Sequence, residues 1–152
     1  MTDAAIATPT EPKTKYRKDY QPPTHLVDTL ELEFDLAEEH TRVHSKMALR
    51  ENPASRGEGG ELVLNGEGLE LARVCVDGVD LGEDRYEVGK ETLTLFGLPK
   101  ECVLEIEVVI EPQENTCFEG LYRSGPMFLT QCEAKGFRRI TYFLDPHGAI
   151  CA

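Results

Sequence analysis

The feature that most constrains this fold is a strict two-residue alternation of apolar and polar side chains along three separate segments. Apolar side chains recur at every second position in residues 30–36 and again in residues 102–110. Residues 41–49 alternate in the same way, with Arg42, His44 and Lys46 at even positions. Successive side chains of a strand point to opposite faces, so this period predicts strands with one buried face. Residues 30–36 and 41–49 follow each other closely and predict a long antiparallel hairpin.

Short apolar runs separated by turn-forming residues continue through the rest of the chain. We expect further strands at residues 61–64, 69–76, 86–88, 93–96 and 127–129. Asp77-Gly78 predicts a tight hairpin turn, whereas residues 114–125 are predicted to form a polar connection. No segment keeps a helical period over the length of a helix. The predicted fold is therefore all-β, with antiparallel strands in a β-sandwich or a saddle-like pair of sheets.

Composition argues against two classes of partner and indicates a compartment. A formal net charge of −12 argues against nucleic acid, because neutralising phosphates requires clustered Lys and Arg. No run of about 18 apolar residues occurs, so no membrane-spanning helix is predicted. The first residues lack the apolar core of a secretory signal, and we expect residues 1–14 to form a disordered tail. Five widely spaced cysteines without a C-x-x-C pair predict reduced, buried or half-buried thiols in a cytoplasmic protein.

The sequence predicts neither a metal site nor a catalytic thiol. His40 and His44 lie four residues apart in a predicted strand, where that spacing covers about 13 Å and is too long for two ligands of one ion. An H-E-x-x-H motif does not occur in the chain. Cys132 alternates with Gln131 and Glu133, so strand parity points its thiol to the opposite face. We interpret Cys132 as a structural thiol.

Gln131 and Glu133, called here the Gln131/Glu133 pair, are the candidate binding residues. They precede an apolar segment that predicts another strand, and on an extended backbone they lie about 6.6 Å apart on one face. The carboxylate accepts a hydrogen bond from an ammonium group, and the Gln131 carbonyl accepts another. Such a pair suits the free amino end of a peptide. Two solvated side chains on an edge strand have the same spacing, so spacing alone leaves both interpretations open.

Several segments resemble the N-terminal domain of the aminopeptidase N family, in the bacterial alanyl-aminopeptidase branch of the gluzincin zinc metallopeptidases. The matching segments are K-Y-R-K-D-Y (15–20), the strand at 30–36, L-N-G-E (64–67), E-G-L-Y-R-S-G (119–125) and, most specifically, the block 130–145. The resemblance covers about residues 15–145. It implies a β-rich domain, saddle-like or sandwich-like, that closes one side of an active-site cavity.

The resemblance also implies roles for particular residues. In this family the Gln and Glu of a Q-x-E-A element line the cavity, and the Glu helps to bind the α-amino group of a peptide substrate. Those roles fall on Gln131 and Glu133. The family's catalytic domain carries G-A-M-E-N and H-E-x-x-H motifs and holds one zinc ion that activates water. The motifs do not occur in this chain, so we expect no catalytic residue, no cofactor and no hydrolysis from the chain alone.

The resemblance stops at Asp145, where the family continues with an Arg-Pro-Asp element and further strands. We expect residues 15–145 to form an incomplete N-terminal β domain that lacks its last strands, followed by a non-matching tail at 146–152. The leading hypothesis is an N-terminal piece of a cytoplasmic zinc aminopeptidase, truncated by a frameshift before the catalytic domain. The alternative is a free-standing, non-catalytic β-sandwich binding module.

Overall fold

The computed structural model describes residues 18, 20–55, 60–133 and 135–144. The predicted terminal segments 1–14 and 146–152 lie outside these residues. The strands are β1 (His25–Leu36), β2 (Thr41–Glu51), β3 (Glu61–Asn65), β4 (Glu70–Val76), β5 (Val79–Asp80), β6 (Tyr86–Val88), β7 (Thr92–Phe96), β8 (Glu101–Ile110), β9 (Gly120–Ser124) and β10 (Met127–Gln131). Short 3-10 helices occur at Glu83–Arg85 and Gly136–Arg139. Within the described part of the chain, no helix has the length and apolar character needed to cross a membrane.

Two antiparallel sheets form the body of the protein. The larger sheet has the strand order β1-β2-β8-β4-β5, the smaller sheet has the order β3-β7-β6, and β9 and β10 form a separate hairpin. Among the described residues, one hydrophobic cluster joins the sheets, with fully or almost fully buried members from both: Val43, Met47, Leu62, Leu64, Val74, Leu93, Leu95, Leu104, Ile106 and Val108. Side chains from two inner faces in one core are the defining property of a β-sandwich. The predicted all-β fold is therefore confirmed.

The two-residue alternation is confirmed in the middle of the larger sheet and fails at the end of the edge strand β1. Odd-numbered side chains of residues 41–49 are buried in β2, and even-numbered side chains of residues 102–110 are buried in β8. In β1, by contrast, Phe34 is 38% exposed and Leu36 is 49% exposed. β1 is the outermost of five strands, and the opposing sheet has three. The narrower sheet leaves the apolar side of the end of β1 in contact with water.

The Asp77-Gly78 turn forms as predicted and also fixes the neighbouring strand. Asp77 and Gly78 have φ values of 50° and 82°, and Val76 pairs with Val79 across the turn. Positive φ at both central residues is what a two-residue type I′ hairpin requires. The Asp77 N–H donates to the Val103 carbonyl at 2.9 Å, and its Oδ1 accepts from the Val103 N–H at 2.8 Å. The turn therefore secures β8 as well as its own hairpin.

Two expectations about the C-terminal third are wrong. Gly120–Ser124, predicted as part of a polar connection, is strand β9 and pairs with β10. The apolar segment after Glu133, predicted as a strand, begins as the 3-10 helix Gly136–Arg139. It then makes an isolated bridge between Phe143 and Asn65. The first difference reflects the missing alternation of buried side chains in β9. The second arises because the chain turns after β10 and returns across the sandwich.

The returning segment is bonded to both sheets. Asn65 of β3 and Phe143 exchange two backbone hydrogen bonds of 2.8 and 3.0 Å. The Thr141 hydroxyl donates to Ser45 Oγ in β2 at 3.2 Å, and Ser45 Oγ donates to the Ile106 carbonyl at 3.3 Å. Thr141 and Ser45 are fully buried, so these bonds form away from competing water. They fix the chain that follows the Gln131/Glu133 pair.

Candidate functional site

The Gln131/Glu133 pair lies where the β9–β10 hairpin ends. Gln131 is the last residue of β10 and pairs with Gly120 of β9, while Glu133 lies in the turn that follows. The Glu133 N–H donates to Gln131 Oε1 at 3.3 Å, and both side chains are exposed. The structure thus brings the two residues together by a turn. The extended backbone predicted for residues 131–133 is not present, because the strand ends at Gln131.

This arrangement keeps the acceptors that a cation requires. The side-chain amide oxygen of Gln131 has two lone pairs, and the Glu133 N–H uses one of them. An ionised carboxylate only accepts hydrogen bonds. Among the described residues, no hydrogen bond or ion pair occupies the Glu133 carboxylate. An ammonium group placed against the pair would form charge-assisted bonds, each contributing about 1.5–3 kcal/mol when sheltered from water.

Two glycines and an arginine, Gly120, Gly136 and Arg139, lie next to the Gln131/Glu133 pair in the structure. The sequence analysis did not identify them. The buried Gly136 donates its N–H to the Cys132 carbonyl at 3.0 Å, which closes the turn containing Glu133. Gly120, opposite Gln131, has φ of +76°. Arg139 Nη2 lies 2.5 Å from Glu67 Oε1. The two glycines are 16 positions apart in the sequence, and the contact between them appears only after folding.

Side chains in the loop before β9 hold the hairpin in place. Asn115 Nδ2 donates to the Glu119 carbonyl at 2.7 Å and to the Leu121 carbonyl at 2.9 Å. Arg139 Nε lies 3.6 Å from Glu119 Oε2. Since Arg139 also pairs with Glu67, one guanidinium connects this loop to the β3–β4 connection. The start of β9 is therefore fixed on both sides.

An apolar surface adjoins the pair on the hairpin. Met127, Leu129 and Gln131 alternate along β10 and so share one face, on which Met127 is 59% and Leu129 is 37% exposed. Leu129 pairs with Tyr122 of β9, and Tyr122 makes an edge-on contact with the exposed Phe118 at 5.4 Å between ring centroids. We call these four side chains, Phe118, Tyr122, Met127 and Leu129, the hairpin face. Exposed apolar groups that cluster in this way are typical of an interaction surface.

A cleft lies beside Arg139. It has a volume of about 450 Å³ and is lined by residues of the β3–β4 connection, the end of β8 and the loop before β9. Glu67, Glu70, Glu111 and Glu114 make its lining strongly acidic, with Arg139 as a cation. The described lining residues do not include Gln131 or Glu133. The cleft and the Gln131/Glu133 pair are thus separate features connected through Arg139.

The cysteines only partly match the expectation of buried or half-buried thiols. Cys75 and Cys102 are buried, and burial raises the pKa of the Cys102 thiol to about 11. Cys117 and Cys132 are exposed, so the expectation is wrong for both. Cys132 lies past the end of β10, and the strand parity used to place its thiol therefore does not apply. Cys151 lies outside the described residues.

The histidines do not come together around a metal. His44 Nε2 lies 3.1 Å from Glu105 Oε2 across the β2–β8 pair, and His40 is exposed just before β2. In the described residues there is no group of three His, Cys, Asp or Glu side chains placed to hold a metal ion. These residues therefore do not fit a zinc site.

Comparison with known proteins identifies close relatives over most of the chain. Aminopeptidase N of Caulobacter vibrioides is 44% identical over 127 residues, which are 84% of this chain and 14% of the relative. Aminopeptidase N of Escherichia coli is 39% identical over 135 residues, which are 89% of this chain and 15% of the relative. The chain thus spans about one seventh of the length of these relatives. No protein-family model matches the chain.

Two solved structures contain a domain with the fold of this chain. The crystal structure of Legionella pneumophila aminopeptidase A in complex with aspartic acid superposes with a TM-score of 0.77 at 26% identity, over 85% of this chain and 15% of that one. An M1 zinc metallopeptidase of Deinococcus radiodurans superposes with a TM-score of 0.63 at 13% identity, over 82% of this chain and 30% of that one. At 13% identity the second match shows a common fold only.

Proposed function

Because this chain is homologous to the N-terminal part of aminopeptidase N, we propose that it serves as the β domain of a zinc aminopeptidase that releases N-terminal amino acids from peptides. The observation that carries this proposal is the 44% identity to the Caulobacter vibrioides enzyme over 84% of the chain. A sandwich of this type contributes substrate binding, and metal chemistry belongs to residues outside those described. The chain alone is expected to be inactive.

The Gln131/Glu133 pair is the proposed binding site for the α-amino group of the peptide. Glu133 supplies the negative charge, and Gln131 supplies the remaining lone pair of its carbonyl oxygen. The turn brings the Glu133 backbone N–H within 3.3 Å of the Gln131 side-chain oxygen, so both residues lie together at the end of β10, which supports this role. Binding the ammonium group at a fixed point would set the distance from the N-terminus to the scissile bond. An exopeptidase needs that distance to be constant.

The hairpin face is the proposed contact with the catalytic domain. Its exposed Met127 and Leu129 lie on the same face of β10 as Gln131. The relatives are about seven times longer than the matched segment, so a further domain is available to cover this surface. Covering it would exclude water around the pair, and the charge-assisted bonds to the ammonium group would become stronger.

We propose a cytoplasmic location for the enzyme. The four cysteines that the structure describes are free thiols, as expected in a reducing compartment. Cys117 and Cys132 are exposed, so an oxidising compartment would modify them first. Thiol titration of protein isolated under non-reducing conditions tests this location, and mixed disulfides at Cys117 or Cys132 would contradict it.

A chimera tests the binding role. In Caulobacter vibrioides aminopeptidase N, the matching segment is replaced by that of this chain, and Glu133→Gln is introduced. Two inhibitors are compared, an amino-acid hydroxamate and the same hydroxamate without its α-amino group, and the ratio of their inhibition constants is called the amine preference. The loss of one charged bond should lower the amine preference about 10- to 100-fold.

The control is Glu87→Gln, which neutralises an exposed carboxylate on β6. It should leave the amine preference unchanged within about twofold. An unchanged preference in Glu133→Gln would refute the binding role. An inactive but folded unmodified chimera would count against the domain assignment itself.

The alternative, a free-standing binding module, is favoured by one observation. The two sheets enclose a single continuous core within the described residues, as an independently stable domain does. A cooperative, reversible thermal transition of the 152-residue chain as a monomer, together with an inactive chimera, would support this alternative.

A further inference from the structure

Three backbone segments meet behind the Gln131/Glu133 pair at distances that only glycine permits. A Cβ added to Gly136 would overlap the backbone carbonyl oxygen of Gln131 and would lie 2.9 Å from the Gly120 backbone nitrogen. A Cβ added to Gly120 would lie 2.7 Å from Arg139 Cβ and 3.0 Å from the Gly136 carbonyl oxygen. Real Cβ atoms essentially never approach another atom within 3.0 Å. The hairpin, the turn and the 3-10 helix therefore have one close-packed arrangement.

This contact determines where Glu133 lies. Glu133 is in the turn between Gln131 and Gly136, and the Gly136 N–H closes that turn on the Cys132 carbonyl at 3.0 Å. One end of the turn is held by the pairing of Gln131 with Gly120. The other end is held by Gly136 packed against the same two residues. Any increase in the distance between Gly136 and Gly120 therefore moves the Glu133 backbone relative to Gln131.

Arg139 holds the 3-10 helix against the hairpin. Its Cβ is the atom nearest to the position that a Cβ on Gly120 would occupy. Its guanidinium lies 2.5 Å from Glu67 Oε1 and 3.6 Å from Glu119 Oε2, so it is attached to elements on both sides of the contact. An ion pair made by a partly buried, planar guanidinium is more directional than one made by a flexible ammonium group.

We propose that Gly120, Gly136 and Arg139 are positioning residues, which hold Glu133 and Gln131 at the spacing that an α-ammonium group requires. This inference rests on the proposed function of the pair. It adds that the geometry of the pair is set by a glycine–glycine contact and an arginine, none of which touches the substrate. Charge-assisted hydrogen bonds depend on distance and direction, so displacing the turn lowers amine affinity even when both side chains are retained.

The test uses the amine preference of the chimera, now with Glu133 and Gln131 intact. Gly136→Ala should lower the preference about tenfold, since displacements of about 1 Å have effects of this order or larger. Arg139→Gln should lower it about threefold. Affinity for the hydroxamate that lacks an amino group should stay within about twofold in both variants, because the displacement is confined to the turn and the catalytic domain is unaltered.

Matched controls separate positioning from general destabilisation. Gly125→Ala strains the far turn of the same hairpin, where φ is +59° and an added Cβ meets nothing within 4 Å. Arg42→Gln removes an ion pair of 2.7 Å to Glu107 on the larger sheet. Both controls should keep the amine preference within about twofold.

The outcomes are distinct. An amine preference that is unchanged in both Gly136→Ala and Arg139→Gln would overturn the proposal while leaving the role of Glu133 intact. If Gly136→Ala does not fold, Arg139→Gln decides alone, because it removes a partly exposed ion pair and leaves the backbone contact. If Glu133→Gln itself keeps the preference, the proposed function fails first.

In the 152-residue chain, hydrogen exchange gives a second measurement. The amide of residue 136 should exchange about tenfold faster in Arg139→Gln than in the unmodified chain, with β8 amides unchanged. Unchanged exchange at residue 136 would also count against the proposal.

Discussion

Replacing Leu104 by alanine tests whether the two sheets pack face to face as described. Leu104 is fully buried in β8, the central strand of the larger sheet, with Met47 and Val76 as cross-strand neighbours. The substitution removes three carbon atoms, each contributing about 0.8 kcal/mol when buried, or about 2.4 kcal/mol together. The cavity left behind adds to this loss, so the free energy of unfolding should fall by roughly 3–4 kcal/mol. The corresponding decrease in melting temperature is roughly 10 °C for a domain of this size.

Urea unfolding of the 152-residue chain, followed by far-ultraviolet circular dichroism, measures the change. The midpoint should shift while the slope stays constant, because the same surface is exposed on unfolding. Val79→Ala is the matched control, since Val79 is 69% exposed and its truncation should cost less than about 0.5 kcal/mol. A loss below about 1 kcal/mol for Leu104→Ala would mean that the inner faces are not in contact, and the sandwich described above would be wrong.

Three further outcomes are expected. The chain alone should neither hydrolyse an aminoacyl-anilide nor bind stoichiometric zinc, and turnover that a chelator abolishes would contradict this. A disulfide thiol reagent should label Cys117 and Cys132 rapidly in the folded protein. Cys102 should react only on unfolding, because burial raises its pKa to about 11; equal rates at all three sites would count against the described burial. Burial lowers the pKa of His25 below its usual 6.5, with Glu51 opposing this in part. The unfolded chain therefore binds this proton more readily, so stability is present above about pH 6.5 and is lost as the pH falls. Urea titrations at pH 7.5 and 5.5 should show a smaller difference in the free energy of unfolding for His25→Asn than for the unmodified chain. An equal difference in both proteins would refute the assignment.

The sandwich was predictable because its signals are local. Strands β2 and β8 of the larger sheet alternate along their own sequences, and burial of one face follows from that alternation without reference to other segments. The Asp77-Gly78 turn is equally local, since two adjacent residues determine its φ values. Exposure of Phe34 and Leu36 was not predictable in this way. That exposure depends on the width of the opposing sheet, and the width cannot be inferred from the sequence of β1.

The site was predictable in its residues but not in its geometry. The composition of Gln131 and Glu133 indicated a cation, and their resemblance to a Q-x-E-A element indicated which cation. Their spacing indicated an extended strand, whereas the chain turns at Cys132 because Gly136 packs against Gly120. Strand β9 was missed for a different reason. In Gly120–Ser124 only the first two residues are buried, so the strand lacks the alternation that marks a buried face.

The strand order of the larger sheet has a consequence for synthesis of the chain. β8 lies between β2 and β4, and its cross-strand partners are distant in sequence, as with His44 and Glu105, 61 residues apart. The centre of the sheet cannot close until the whole of β8 has been synthesised, which makes its folding slow relative to that of a meander of neighbouring strands. At about 5–20 residues per second, β1 and β2 wait for seconds with their apolar faces uncovered. The β9–β10 hairpin is synthesised later still, so Glu133 follows every strand of both sheets.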